Sequence, residues 1–469
     1  MQKSWLKWLI VVGSGVIISF ITPPEGVTRE AWTLFAIFIA TIIGSIVQPL
    51  TGSAMVLLGV VATVVFGAMT PKAALTGYSD PVVWLVLAAF FLSSAMIKTG
   101  LGRRIALLFI KAIGRKTIGL GYALVSTDFI LASMIPSNAA RNGGVILPIA
   151  LGVCETYDSR PDDGTANRLG AFLMNLLYQC DVIICATFIT GQASNIIIAK
   201  LAKDNAGIEL SYGGWFLAAI VPAVVSLIAV PMMIYKFFPP EIKETPEAAK
   251  FARTELEKIG RVKRPEVIVL AVLISVVVLW IAKGTFHNLD TSIVALSGIG
   301  VLLLAKVFEW KDLMGERNAW SVFIWYGGLI NMASAIGETG IPKIFAESMA
   351  TNTTGMTWMV ALTILVLVYF YTHYFFASIT GHVLAMFVPF AAVTIAAGAP
   401  VGLAVLLLAY FSNLNAGLTH YGTTPGPIYF GTGYVKQSQW WTIGLIASVL
   451  NIIIWSTIGL GWWKLLGWW

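Results

Sequence analysis

Apolar residues run through this chain in long blocks, separated by short polar stretches. Eleven blocks read as membrane-spanning helices, at about 6–22, 31–48, 53–70, 81–97, 168–200, 213–237, 265–282, 292–306, 318–336, 398–430 and 441–463, because a span needs about 20 apolar residues. Residues 31–71 contain no Asp, Glu, Lys or Arg, and neither does the 88-residue stretch 348–435. The only ionisable groups of interest in that second stretch are His373, His382 and His420.

Two further apolar blocks do not fit the span count. Residues 122–153 are interrupted by Pro136-Ser137-Asn138-Ala139-Ala140-Arg141-Asn142-Gly143-Gly144, which leaves arms of about 12 apolar residues, too short to cross. Residues 357–397 are interrupted at Ala377-Ser378-Ile379-Thr380-Gly381-His382, and here a crossing pair stays open on length. Both are read as re-entrant helical hairpins whose tips meet mid-membrane. Non-helical backbone at that depth must be buried in protein or line a wet cavity.

An internal repeat supports this layout. Ser94-Ala95-Met96-Ile97-Lys98-Thr99-Gly100 recurs as Ser334-Ala335-Ile336-Gly337-Glu338-Thr339-Gly340 at an offset of 240, and Ser137 and Pro148 recur as Ser378 and Pro389 at 241. Each repeat, 31–237 and 265–469, holds five spans and one hairpin. Five is odd, so the repeats run in opposite orientation. Inverted repeats with broken helices near the midplane are the layout of secondary transporters. Residues 1–30 then form an extra N-terminal span, and 238–264 form a charged linker, read as an amphipathic helix.

Composition narrows the class. The chain is 58% apolar and 11% charged, against roughly 25% charged in soluble domains, which excludes a water-soluble enzyme. Cations collect in 98–117 and 238–264, and the N-terminus carries Lys3 and Lys7, so it is placed in the cytoplasm of a bacterial cell. Many of the 17 Trp lie near span ends, as interfacial belts require. The net charge of +7 sits in short loops and does not mark a nucleic-acid binder. Cys154, Cys180 and Cys185 show no disulfide pattern. There is no Walker lysine motif, no metal-ligand spacing among the four His and no catalytic set. No cofactor, metal or enzymatic activity is expected.

Candidate chemistry lies in four broken segments. Two are the hairpin tips. The others are Thr190-Gly191-Gln192-Ala193-Ser194-Asn195 and Thr419-His420-Tyr421-Gly422-Thr423-Thr424-Pro425-Gly426-Pro427. Gly and Pro interrupt the helices there, and exposed helix N-termini favour anions. Arg141 is an intramembrane cation, functional by default, with capping of its own hairpin's carbonyls as the alternative. The repeat offset sets His382 opposite it, as a second cation or a neutral hydrogen-bonded ring. Asn138 and Asn195 are ligands or structural caps. Thr423 and Thr424 are ligands or satisfy broken helix ends. Asp181 is a proton carrier or lies at a wet domain interface.

These residues resemble a known family. Ser137-Asn138-Ala139 and Ser378-Ile379-Thr380 look like the paired Ser-Asn-Thr motifs of the divalent anion/sodium symporters. Thr419 to Pro425, followed by Tyr429-Phe430-Gly431-Thr432-Gly433-Tyr434, resembles the branch of citrate/succinate and tartrate/succinate antiporters and the plastid 2-oxoglutarate/malate translocator. Pro136-Ser137-Asn138 with Arg141 and Gly143-Gly144 fits the same branch, and the resemblance covers essentially the whole chain.

The resemblance implies an all-α membrane protein working as a homodimeric elevator, with a scaffold (31–117 and 265–356) and a transport domain (118–237 and 357–469). It also implies a dicarboxylate substrate such as 2-oxoglutarate, malate or succinate. The expected ligands are Ser137, Asn138, Ala139, Arg141, Gln192, Asn195, Ser378, Thr380, His382, Thr423, Thr424 and Pro425. The chain departs from the family's sodium-binding pattern at Ala139 and Ile379, and the latter offers no amide to a second sodium ion. Arg141 and His382 are expected to serve as fixed cations in sodium's place. An empty transport domain would then carry uncompensated charge, and the carrier would be an obligatory, sodium-independent exchanger. The alternative is a sodium-coupled di/tricarboxylate symporter.

Overall fold

The computed structural model describes residues 4–341, 344 and 356–469, and the described residues are helical apart from turns and two isolated bridges. The Asn352-Thr353-Thr354 sequon and most of the segment 337–356, expected outside the cell, lie beyond the described residues. Ten described helical segments are long and apolar enough to cross a membrane, and Trp5–Phe20, Gly52–Val65, Thr117–Ala132 and Thr291–Leu304 are shorter apolar helices.

Local chemistry sets the helix boundaries. Asp80 accepts from the Val82 amide at 2.9 Å, and Pro81 fills the first position of helix Pro81–Thr99, where a missing N–H costs nothing. Gly100, at a φ of +77°, ends it. Thr28, Ser211 and Asp290 cap helices Arg29–Val47, Tyr212–Phe237 and Thr291–Leu304 in the same way.

Burial sorts these helices. Every residue of Gly170–Thr187 is buried, as is every residue of Gly402–Leu418. These two form the axis of the molecule. Helices such as Arg264–Ala282 and Thr291–Leu304 expose Val278, Ile293 and Leu304 on an outer face suited to lipid. Two packing groups result. One joins Arg29–Val47, Gly52–Val65, Pro81–Thr99, Thr291–Leu304 and Arg317–Glu338. The other surrounds the axis with Thr117–Ala132, Tyr212–Phe237, Ile379–Ala396 and Gln437–Ile454.

The interrupted segments are built as breaks. Thr117–Ala132 turns through 133–137 into a helix from Asn138 to Thr156, with a π-turn at Asn142–Ile146. Its arms are longer than the apolar count suggested. Trp358–Tyr371 turns through 372–378 into Ile379–Ala396. Gly170–Thr187 breaks before Ala193–Ala206, and Val401–Leu414 breaks before Pro425–Phe430. Gly191 and Gly422 sit in these last two breaks, each pressed against the carbonyl six residues earlier (Cys185 and Ala416), where a Cβ would collide.

The linker contains a helix, Pro246–Ile259, which buries Ala248 and Ala252 against helix Leu101–Ile113. Arg103 pairs with Glu255 at 2.5 Å. A hydrogen bond from Lys258, 2.7 Å away, holds the Glu255 carboxyl below its usual range, and the charges of Lys258 and Arg103 add to it. Arg104 is nearly sealed. It meets both oxygens of Glu266 at 2.5 and 3.1 Å and donates to the Gly260 carbonyl at 2.9 Å. Removing one partner of such a pair leaves a buried charge, at a cost of about 3 kcal/mol. Glu266→Ala is therefore expected to lower the thermal unfolding midpoint in detergent markedly. An unchanged midpoint would show that the pair contributes nothing.

Candidate functional site

The starts of four helices meet around one cavity of about 580 Å³. Pro136 to Ala140 begin the second arm of the first hairpin, and Gln192 to Ser194 begin Ala193–Ala206. Ser378 to Thr380 begin Ile379–Ala396, and Thr423 and Thr424 precede Pro425–Phe430. The starts of the three longer helices each carry roughly half a positive charge from aligned amides, whereas Pro425–Phe430 is six residues long and Pro425 and Pro427 have no N–H to offer. The side chains of the four starts at the wall are hydroxyls, amides and methyl groups. Ser137 caps its helix through the Ala140 amide at 3.2 Å, and Ser378 caps through Gly381 at 3.4 Å. Asn138 donates to the Thr423 hydroxyl at 3.1 Å, and the hydroxyls of Ser194 and Thr380 lie 2.7 Å apart. The two hairpin tips are thus each tied to a different broken helix.

The opposite wall comes from the first packing group: Phe90, Ser93, Ser94 and Ile97 of Pro81–Thr99, and Asn318, Ser321, Val322 and Trp325 of Arg317–Glu338, with Glu316 just before it. Among the described residues, Glu316 is the one charged residue in the wall.

Every break also frees carbonyls, and side chains behind the cavity satisfy them. The Asn195 amide donates to the carbonyls of Cys185 and Phe188 at 2.7 and 2.9 Å, while its oxygen accepts from Asn413 at 2.9 Å. Gln192 is hydrogen-bonded to Asn413 as well. The Tyr178 hydroxyl lies 2.7 Å from the Ala416 carbonyl and 3.0 Å from that of Thr419. Gln179 donates to Gly417 at 2.9 Å. Negative backbone ends are neutralised from behind, and positive ones face the cavity.

Arg141 belongs to the back of the site. It is fully buried and outside the cavity wall. Its Nε meets Asp128 at 2.7 Å and its Nη2 meets Asp181 at 3.1 Å. Its Nη1 donates to the carbonyls of Ile135 at 2.9 Å and Gly191 at 2.6 Å. It therefore ties both arms of its hairpin to the first broken helix. The expectation of an uncompensated cation is corrected: two carboxylates surround it.

His382 is likewise buried and absent from the wall. Its Nε2 lies 3.0 Å from the Tyr369 carbonyl, its Nδ1 has no partner, and the rings of Tyr369, His373 and Phe376 enclose it. A neutral Nε2–H ring fits there, and an imidazolium would leave a charged N–H unpaired. Asn195 and Pro425 also stand behind the wall, the first as a carbonyl cap and the second as the first residue of its helix. Asp181 is sealed from solvent, which removes the wet-interface alternative.

Ser137, Asn138, Ala139, Gln192, Ser378, Thr380, Thr423 and Thr424 do line the cavity. Sequence reasoning did not single out Asp128, Asn413 or Ser194 as site residues. Asp128 had a signal: it is an acid inside an apolar block, 13 residues before Arg141. Asn413 had none, since its partners lie 218 and 221 residues away.

Arg141→Lys keeps one charge but cannot reach two carboxylates and two carbonyls together. The expected outcome is a clear fall in the thermal unfolding midpoint. A weaker substrate affinity at unchanged stability would instead place Arg141 on the substrate.

The chain matches the family described as the sodium:sulfate symporter transmembrane region over residues 2–469. It is 46% identical over 461 residues to the Bacillus subtilis (strain 168) protein named "Putative malate transporter YflS", covering 98% of this chain and 96% of the relative. It is 42% identical over 471 residues to the chloroplastic dicarboxylate transporter 1 of Arabidopsis thaliana, covering 100% and 84%. It is 31% identical over 480 residues to the L-tartrate/succinate antiporter of Shigella sonnei (strain Ss046), covering 98% of each. The fold is similar to that of the Alcanivorax borkumensis YdaH transporter, with a TM-score of 0.58 at 13% identity over 99% of this chain and 97% of that one. On this evidence of sequence along nearly its whole length, the chain belongs to the sodium:sulfate symporter family, the divalent anion/sodium symporters that its paired motifs resemble.

Proposed function

We propose that this protein is a secondary carrier that exchanges four- and five-carbon dicarboxylates, such as 2-oxoglutarate, malate and succinate, across the bacterial inner membrane without sodium. One observation carries the reading: four helix starts converge on a 580 Å³ cavity whose hairpin and broken-helix side holds hydroxyls and amides but no cation. The starts of the three longer helices, at about half a charge each, offset most of a dianion's charge. The volume lies within the range of small-molecule sites, about 300–1,000 Å³. The relatives named as dicarboxylate transporter and tartrate/succinate antiporter support the substrate class and the exchange.

The mechanism follows from the two packing groups. The group around the axis, 118–237 and 357–469, contains both hairpins and both broken helices, and it is the transport domain. The group of 31–117 and 265–356 is the scaffold, which forms the contact of a homodimer. Substrate sits between the hairpin tips and the scaffold wall, and sliding the transport domain as an elevator carries it from one side to the other. The N-terminus faces the cytoplasm.

The brake on empty return is the backbone rather than Arg141. An empty site would carry its positive helix starts across without their anion, whereas a loaded site crosses more nearly balanced. Sodium finds little help here. Ala139 removes the final hydroxyl of the first motif and Ile379 the middle amide of the second, so each motif offers a cation one polar side chain fewer. The second reading is sodium-coupled symport, favoured by the name of the matched family.

Uptake of labelled 2-oxoglutarate into proteoliposomes separates the two. Uptake only into vesicles preloaded with unlabelled dicarboxylate, indifferent to sodium, is expected. Sodium-driven uptake into empty vesicles would overturn exchange in favour of symport. In the same assay, Thr380→Val removes a hydroxyl from the wall. A hydrogen bond to a charged group contributes about 1.5–3 kcal/mol, so KM should rise roughly tenfold or more. An unchanged KM would remove Thr380 from the substrate contacts.

A further inference from the structure

The cluster behind the first hairpin has an unbalanced charge count. Asp128 lies on Thr117–Ala132, Arg141 on the second arm, and Asp181 at the centre of the fully buried helix Gly170–Thr187. Their side chains are 4% exposed or less. One guanidinium thus faces two carboxyl groups. The titratable groups that also face the cluster are Tyr178, Cys180 and Cys185 on the helix of Asp181, and Tyr429, whose hydroxyl donates to Asn142 at 2.6 Å. All are acids, and among the described residues none adds a positive charge. With both carboxyls ionised, the cluster would hold one net negative charge in the membrane interior, which is expensive and rare.

Hydrogen bonding distinguishes the two acids. The five N–H groups of Arg141 have five partners: Asp128, the Ile135 and Gly191 carbonyls, Asp181 and the Cys185 sulfur. Asp128 takes the Nε at 2.7 Å and keeps slight contact with solvent. Asp181 gathers its donors on a single oxygen. Oδ1 accepts from Arg141 at 3.1 Å, from Asn142 at 2.8 Å and from the Cys185 thiol at 3.4 Å. Its Oδ2 is sealed from solvent and has no partner among the described residues. An ionised carboxylate would place half its charge on that bare atom. In a neutral carboxyl, Oδ1 is the carbonyl oxygen that collects donors and Oδ2 is the hydroxyl.

We propose that Asp181 holds a proton on Oδ2, making the side chain a buried proton site that leaves Arg141 and Asp128 as a neutral pair. The site adjoins the cavity through Asn142, which bonds Asp181 with its amide and the Asn138 carbonyl at 3.0 Å. The consequence for transport rests on the carrier reading above; the proton itself does not. If this cluster travels with the substrate, the proton crosses in both directions and exchange of two dianions moves no net charge. Loss of the proton would add a buried charge to the moving part and slow every crossing.

Infrared spectroscopy of the whole protein in lipid tests the proton without any transport measurement. A protonated-carboxyl C=O band is expected at neutral pH, shifted by aspartate labelled with carbon-13 at its carboxyl and lost in Asp181→Asn. A wild-type spectrum without the aspartate band overturns the proposal, as does a band that survives in Asp181→Asn. If that variant does not fold, a wild-type spectrum without the isotope-shifted band still overturns the proposal. Transport gives a second readout. Wild-type exchange should fall about tenfold or more on moving from neutral to strongly alkaline pH, where the dicarboxylate stays fully ionised. Asp181→Asn, which mimics the neutral acid, should show a flat profile. An equally steep profile in the variant overturns the link between this proton and crossing. Failure of both proteins to transport, with the infrared band present, would defeat the carrier reading and leave the proton site standing.

Discussion

A helix broken inside hydrocarbon frees backbone N–H and C=O groups that no water can satisfy. The structure around the cavity answers that constraint four times with the same division. Carbonyls at the ends of the upstream halves meet side chains that point away from the cavity: Asn195 for Cys185 and Phe188, Tyr178 for Ala416 and Thr419, Arg141 for Ile135 and Gly191. The starts of the downstream halves line the cavity, and among the described residues of its wall there is no cation.

This division explains why the charged residues are where they are. A guanidinium in the cavity wall would hold a dianion tightly, but it would also need to be hidden when the cavity was empty. Behind the wall, Arg141 is permanently paired and serves geometry. Its fork reaches both hairpin arms and the first broken helix at once, which a single ammonium cannot do. The second tip has no such fork. His382 bonds back to the Tyr369 carbonyl of its own hairpin, and His373 lies 2.9 Å from the Gly422 carbonyl of the second broken helix. The two repeats therefore solve one problem with different chemistry: an ionic tie in the first and neutral imidazoles in the second.

The cross-ties make the site a single object. Asn138 bonds Thr423, and Ser194 bonds Thr380, so each hairpin tip is joined to the broken helix of the other repeat. Asn413 bonds both Gln192 and Asn195, joining the broken helices to each other. The opposite wall of the cavity, with Ser93, Ser94 and Asn318, comes from helices that belong to the other packing group.

Much of this was legible in the chain itself. Apolar block length marks the spans, because hydrocarbon thickness sets a minimum. Gly, Pro and small polar residues inside those blocks mark the breaks, because only they relieve a helix there. The paired Ser-containing motifs mark the family. What periodicity cannot decide is which polar side chain of a break faces the ligand and which caps a carbonyl. Arg141 and Ser137 are four residues apart in one motif, yet one is sealed behind the wall and the other lines it. Direction depends on partners far away in sequence: Asp181 for Arg141, 40 residues on, and Thr423 for Asn138, 285 residues on. The charge of Arg141 could be read from the sequence, whereas its neutralisation required three helices to be brought together.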